Sequence, residues 1–321
     1  MLKVGIIGAG ALGTALAQSL SKNLENVYIY ARRQKVVDDI NNLHYNKDYY
    51  PSVKLNANII GINDLNVLSD ADCVVLAIPS SNLRGMMKQL GEVISEDCLI
   101  VSTIKGIEES TSKTASDIIK EISDNPVAIL SGPNIAREIV LNLPAATTIA
   151  LSSKEYEKPI KEIFESNEFK LQFNYDPIGT EFCGVLKNIL AISTGICDGL
   201  NINDSAKFAV LNKGFVEIQD IIVSLGGQAD TILNYCGFGD MVTASTLTVS
   251  RNHTLGQFFG QKIIIDENKT GVVFEGKNSI KSIKKLCDEM DMDSVIVDFV
   301  YDVIINKNNP EYAFEQLWAD L

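Results

Sequence analysis

Apolar residues in the first half of the chain fall in short continuous runs; in the second half they recur at helical spacing. Runs at residues 3–7, 27–30, 73–78, 99–103, 127–130 and 147–151 predict strands, with helical patterns at 11–22, 82–90 and 111–122 between them. Strands without polar alternation are buried on both faces, and their alternation with helices predicts a mostly parallel sheet. After about Asp176 strand-like runs become rare. Long apolar-periodic segments follow, broken by Gly226-Gly227 and Gly237-Phe238-Gly239. A polar stretch ending in Pro177 marks the start of the first long helix. The expected organisation is an α/β domain over residues 1–175 and an all-helical domain over 176–321.

Composition narrows the function. A chain of 321 residues exceeds what one hydrophobic core usually supports, in keeping with two domains. A net charge of -13 argues against a nucleic-acid or anionic-membrane surface, so any anion must be captured locally by a few Lys and Arg residues and helix N-termini. The six cysteines are scattered with no C-x-x-C, which predicts free buried thiols. With no signal-peptide pattern after Met1 and no apolar stretch of membrane-spanning length, the expected location is cytoplasmic. His44 and His253 are the only histidines, and no ligand cluster accompanies them, so no metal site is expected.

Gly8, Gly10 and Gly13 form G-x-G-x-x-G between a strand run and a helical pattern. In that setting Gly8 allows the tight turn, Gly10 the approach of a pyrophosphate, and Gly13 close helix–strand packing. This makes the first domain Rossmann-like and calls for a nicotinamide dinucleotide. The second strand runs into Ala31-Arg32-Arg33, with no acid for ribose hydroxyls. Arg32 and Arg33 suit a 2′-phosphate, which favours NADPH over NADH, with use of both as the alternative and two solvated loop arginines as the plain reading.

Ligands of parallel sheets collect beyond the carboxyl ends of strands. Lys105, Gly132 and Asn134 stand at such places, offering a positive charge and hydrogen-bonding groups to an anionic substrate, or serving only as loop and turn residues. The helical run 181–195 is apolar nearly all round yet carries Lys187 and Asn188. Lysine is rarely buried without a partner, and a desolvated lysine beside other cations loses affinity for its proton. Lys187 is therefore the candidate general acid/base, with a snorkelling or ion-paired structural lysine at the domain junction as the plain reading. Asp240 suits orientation of Lys187, acceptance of a substrate hydroxyl, or simple helix capping. Ser250, Arg251 and Asn252 combine donors suited to phosphate.

These residues resemble the bacterial-type NAD(P)-dependent glycerol-3-phosphate dehydrogenases. The resemblance runs through G-A-G-A-L-G-T-A-L-A, Y-Y-P at Tyr49, A-I-P-S, K-G-I-E at Lys105, S-G-P-N-I-A-R-E at Ser131, G-V-L-K-N at Gly184, G-F-G-D at Gly237, S-R-N at Ser250 and V-F-E-G at Val273. It implies reduction of dihydroxyacetone phosphate to sn-glycerol 3-phosphate, feeding glycerophospholipid synthesis, in a homodimer. It further implies Lys187 as the proton-transfer residue, with Lys105, Gly132, Asn134, Asp240, Ser250, Arg251 and Asn252 around the substrate. Cofactor contacts would come from Gly8, Gly10, Ala11, Leu12, Gly13, Arg32, Arg33, Tyr49, Lys105, Ala136, Arg251, Val273 and Glu275. The family usually carries an aromatic residue where Leu12 stands, Ser or Thr at Asn134, D-N at Asp204-Ser205 and Arg at Lys213. Two other readings remain: a related reductase of another small phosphorylated or carboxylated ketone, and a cofactor-binding regulator without turnover.

Overall fold

The computed structural model describes residues 2–247, 250–263 and 274–321. Val273, one of the expected cofactor contacts, lies outside them. The chain divides into two compact units, one holding Met1–Ile104 and Ala115–Pro177, the other Lys105–Thr114 and Ile178–Leu321. Residues 105–114, on the first side of the boundary drawn from sequence, pack with the second unit.

The first unit is built on an eight-stranded sheet of β1 (Val4–Ile7), β2 (Val27–Tyr30), β3 (Ile59–Ile62), β4 (Cys73–Leu76), β5 (Leu99–Ser102), β6 (Val127–Ser131), β7 (Ala145–Leu151) and β8 (Phe169–Asn174), in the order β3-β2-β1-β4-β5-β6-β7-β8. All neighbours run parallel except β6 and β7. Helices α1 (Ala11–Leu20), α2 (Gln34–Asp38), α3 (Leu83–Leu90), α4 (Ala115–Ile122), α5 (Ala136–Val140) and α6 (Glu157–Phe164) connect them. Alternate residues of each inner strand feed two separate cores. Val4, Ile6, Cys73, Val75, Leu99 and Val101 pack with Leu16 and Leu20 of α1 and Ile160 of α6. Ile7, Val74, Leu76 and Ile100 pack with Leu83 and Met87 of α3 and Ile118 of α4. Burial on both faces explains why these strands read as unbroken apolar runs. The chain reverses its direction across the sheet between β1 and β4, which creates a switch point at their carboxyl ends.

Among the described residues of the second unit the regular elements are helices: α7 (Pro177–Gly199), α8 (Asp204–Ser224), α9 (Asp240–Thr246), α10 (Arg251–Gly260), α11 (Glu275–Glu289), α12 (Val295–Ile304) and α13 (Pro310–Ala319), with short helical turns at Ala229–Leu233 and Tyr235–Gly239. α7 is the centre of this unit, buried along nearly its whole length. Gly195 and Gly256 let α7 and α10 touch backbone to backbone: a Cβ on Gly195 would lie 2.1 Å from the His253 carbonyl oxygen, and one on Gly256 2.2 Å from that of Ile192. The buried His253 of α10 is held by Asp198 of α7, Nε2 to Oδ2 at 2.9 Å, and Lys207 of α8 reaches the same carboxylate at 2.9 Å.

Candidate active site

The glycine loop sits at the switch point of the first unit. Gly8 has φ +114, and a Cβ there would lie 2.5 Å from the Ala77 carbonyl oxygen of the neighbouring strand's end. A Cβ on Gly13 would come within 1.9 Å of the Gly8 oxygen, whereas one on Gly10 meets nothing within 4 Å. The three glycines thus divide the work as a dinucleotide fingerprint requires: one turns the chain, one seats the helix on the strand, and one keeps an open face towards a ligand. Gly10 occupies the N-cap of α1, no side chain caps that helix, and its first turn carries no acid. Its N–H groups and dipole fit the pyrophosphate of a nicotinamide dinucleotide. Ala11 and Leu12, in that first turn, and Ala136, at the start of α5, line the half-buried margin of one core.

The segment leading into Y-Y-P braces this loop. The side chain of the fully buried Asn46 donates to the Ala9 carbonyl at 3.0 Å and to Thr14 Oγ1 at 2.8 Å. Tyr50 Oη donates to the Ala11 carbonyl at 3.1 Å, and burial pushes its phenol up to about 12, so the donor keeps its proton at any physiological pH. Tyr49, between them in sequence, leaves its ring exposed. Beyond β2, Arg32 and Arg33 are exposed, and Arg33 pairs with Asp48, Nη2 to Oδ2 at 2.6 Å. At the end of β6, Asn134 Oδ1 accepts from Thr147 Oγ1 at 3.1 Å, and Gly132 lies so close to Thr147 that a Cβ would be 2.9 Å from its Cα.

In the second unit three charged side chains converge. Lys187 Nζ of α7 lies 2.5 Å from Asp240 Oδ1, and Lys105 Nζ lies 2.6 Å from Oδ2 of the same carboxylate. Asp240 is 2% exposed and is the first residue of α9. Burial lowers Lys187 to about 8; the Lys105 charge pushes the same way and Asp240 opposes both. An ammonium group in this range gives up and regains its proton near neutral pH. Asn188, the next residue of α7, donates to the Lys105 carbonyl at 3.1 Å and so ties that loop to the helix.

The N-terminus of α10 belongs to the same unit. Ser250 is its N-cap, its hydroxyl accepting from the His253 N–H at 3.3 Å, which gives it a structural duty that its spacing did not reveal. Asn252 Oδ1 accepts from the Gly276 N–H at 3.3 Å, and Gly276 packs against the Asn188 carbonyl of α7. Arg251 is exposed, and Glu275 starts α11 half-buried. The structure therefore brings Lys105, Lys187 and Asp240 into direct contact and links Asn252 to the backbone beside Lys187. Gly132, Asn134 and the glycine loop belong to the first unit. Asn46, Asp48 and the positioning roles of Tyr50 and Asn188 had escaped the sequence reading.

A model described as the NAD-dependent glycerol-3-phosphate dehydrogenase N-terminus matches residues 3–157, and its C-terminal counterpart matches residues 176–315. The chain belongs to the NAD-dependent glycerol-3-phosphate dehydrogenase family. A glycerol-3-phosphate dehydrogenase of the NAD(P)+ type from Clostridium botulinum (strain Eklund 17B / Type B) is 36% identical over 320 residues, covering 99% of this chain and 97% of that protein. One from Bacillus subtilis (strain 168) is 34% identical over 326 residues, with 99% and 94% covered. Among solved structures, the glycerol-3-phosphate dehydrogenase of Coxiella burnetii superposes with a TM-score of 0.92 at 27% identity, covering 99% of this chain and 98% of that one. A ketopantoate reductase from Ralstonia eutropha shares the fold at a TM-score of 0.63 and 13% identity. As a member of the glycerol-3-phosphate dehydrogenase family, the chain is an NAD(P)-dependent oxidoreductase. No helix among its described residues is long and apolar enough to cross a membrane.

Proposed function

We propose that the reduction of dihydroxyacetone phosphate to sn-glycerol 3-phosphate, the reaction of the family, is carried in this chain by the Lys105–Asp240–Lys187 cluster. The observation that supports it is an ammonium group on a buried helix, lowered to about 8 and held by one carboxylate that it shares with a second cation. Reduced nicotinamide, when bound, would supply the hydride for C2 of the ketone. As the C2 oxygen gains negative charge, Lys187 gives it a proton and becomes the neutral amine; in the reverse direction that amine takes the hydroxyl proton. Lys105 stabilises the developing alkoxide, while Asp240 holds both lysines in place. Arg251 offers paired N–H donors to the substrate phosphate, with Ser250 and Asn252 beside it, and Gly132 and Asn134 complete the substrate contacts. The loop of Gly8, Gly10, Ala11, Leu12 and Gly13 would hold the pyrophosphate. Arg32 and Arg33 would take the adenosine end, and Tyr49, Lys105, Ala136, Arg251 and Glu275 would add contacts.

The product is the glycerol phosphate unit from which glycerophospholipids are built, and the enzyme works in the cytoplasm, in keeping with six free thiols that are all buried. It acts as a homodimer, an assembly that would cover the exposed Phe208, Val216 and Val223 along one face of α8. The decisive experiment is a spectrophotometric assay of dihydroxyacetone phosphate reduction with each reduced cofactor, on the parent and on Lys187→Ala. The variant should lose at least about a hundredfold in kcat, the low end for removal of a general acid. Near-normal turnover would take Lys187 out of the mechanism.

A further inference from the structure

Dinucleotide sites that select the unphosphorylated cofactor usually place an acid at the end of the second strand, where it accepts from the ribose hydroxyls and repels a 2′-phosphate. β2 lacks one, running instead into Ala31-Arg32-Arg33. An acid reaches that place from elsewhere in the chain: Asp48 Oδ2 lies 2.6 Å from Arg33 Nη2. It is not a wandering surface carboxylate. The Tyr49 and Tyr50 N–H groups both donate to the Asn46 carbonyl, at 3.2 and 2.7 Å, which closes a turn around Asp48. The two ends of that turn are fastened to the glycine loop, Asn46 to Ala9 and Thr14, and Tyr50 to Ala11. The neighbouring Lys47 is directed to Asp39, at 3.1 Å. One short segment therefore grips the pyrophosphate loop and presents a carboxylate to the arginine at the adenosine end.

We infer that Asp48 is a specificity-determining residue of the dinucleotide site: by engaging Arg33 it withholds that guanidinium from a 2′-phosphate and keeps NADH a good cofactor beside NADPH. The inference rests on the reading of the first unit as the nicotinamide site. A 2′-phosphate brings close to two negative charges, which Asp48 opposes and an unengaged Arg33 would hold by paired N–H donors. Because the ion pair is exposed, its removal should leave the fold intact.

The test measures equilibrium dissociation constants of NADPH and NADH, by nicotinamide fluorescence without substrate, for the parent, D48N, D48E and R33A/D48N. In D48N the ratio of NADH to NADPH dissociation constants should rise by about tenfold or more. D48E, which keeps the acid, should stay near the parent ratio. The double variant, which lacks the released guanidinium, should lose the gain. A ratio in D48N within about twofold of the parent overturns the inference, and so does an undiminished rise in R33A/D48N, which leaves Arg33 no part. A parent that binds neither cofactor removes the dinucleotide reading itself, and the role of Asp48 with it. Ratios of kcat/KM for the two cofactors should move in parallel with the binding ratios.

Discussion

Replacing Asp240 by Asn removes one negative charge from between two ammonium groups while leaving the side chain's size unchanged. The carboxylate lies 2.5 Å from Lys187 and 2.6 Å from Lys105, and it is what keeps Lys187 as high as about 8 against burial and the second lysine. Two opposite unit charges about 4 Å apart interact by about 4 kcal/mol at an effective dielectric constant near 20, and each pKa unit corresponds to about 1.4 kcal/mol. Loss of the carboxylate should therefore lower Lys187 by up to about three units. At pH 7 the ammonium fraction would fall from about nine-tenths to about one-hundredth.

The sign follows from the direction of the reaction. In the proposed mechanism reduction consumes the ammonium form, so in the parent its rate should fall as pH rises through about 8. In Asp240→Asn that falling limb should move to about pH 5, with a loss of about two orders of magnitude at pH 7 that is recovered on acidification. The assay is the pH dependence of kcat/KM for dihydroxyacetone phosphate reduction. Melting measurements must accompany it, because breaking a buried ion pair costs about 3–5 kcal/mol. A limb that stays near pH 8, or a loss of the same size at every pH, would refute the argument, since a merely structural carboxylate lowers the rate without moving the profile.

Two further predictions concern other parts of the molecule. Gly10→Ala should melt like the parent, because its Cβ meets nothing within 4 Å and its φ of -83 suits any residue, yet bind NADH at least about tenfold more weakly; Gly13→Ala, whose Cβ would lie 1.9 Å from the Gly8 oxygen, should destabilise the fold. Thermal shift with NADH titration separates them, and parent-like affinity in Gly10→Ala would refute the assignment of its open face. Glu217 is buried on α8, where it accepts the N–H groups of Ile296 and Val297 at 2.9 and 3.0 Å, and burial pushes it up to about 7. Its folded value lies above the unfolded one, so its contribution is complete below about pH 4.5 and is lost as pH rises through about 7, by about 3 kcal/mol. Urea unfolding across that range should show this loss in the parent and not in Glu217→Gln; equal slopes would refute it.

What the sequence disclosed follows from how locally each feature is determined. The inner strands were legible because both faces are buried, and the same burial hid nothing from an apolar run. The two strands that went unread, β3 and β8, are the two edges of the sheet. β3 is interrupted by Gly61, while β8 mixes Lys170, Gln172 and Asn174 with its apolar positions, as an exposed edge tolerates. The reversed direction of β7 has no local signature at all. The helical pattern read from 111 begins in the structure at Ala115, the preceding residues belonging to the second unit. Lys187 stood out because a charge in an apolar helix demands a partner, but the partner lies 53 residues away and only folding brings it near. Arg33 is the converse case: read alone, it favours a 2′-phosphate, and the carboxylate it pairs with, Asp48, lies just outside the Y-Y-P block.

The charge of the cluster also explains why one carboxylate serves two lysines. With a net charge of -13 the molecule as a whole repels its anionic substrate, so attraction must be built at the site. Two ammonium groups sharing Asp240 leave a local charge of +1 when Lys187 is protonated, and a single alkoxide forming on the substrate is matched by it. If Lys187 passes its proton on as proposed, the cluster would become neutral at the same moment as the alkoxide. A second carboxylate would cancel the attraction before reaction, and a lone lysine would have no fixed cation left after it. In the proposed mechanism the shared arrangement would keep the buried charges balanced on both sides of the proton transfer, which is the condition for moving a proton inside a low-dielectric site without leaving an ion unpaired.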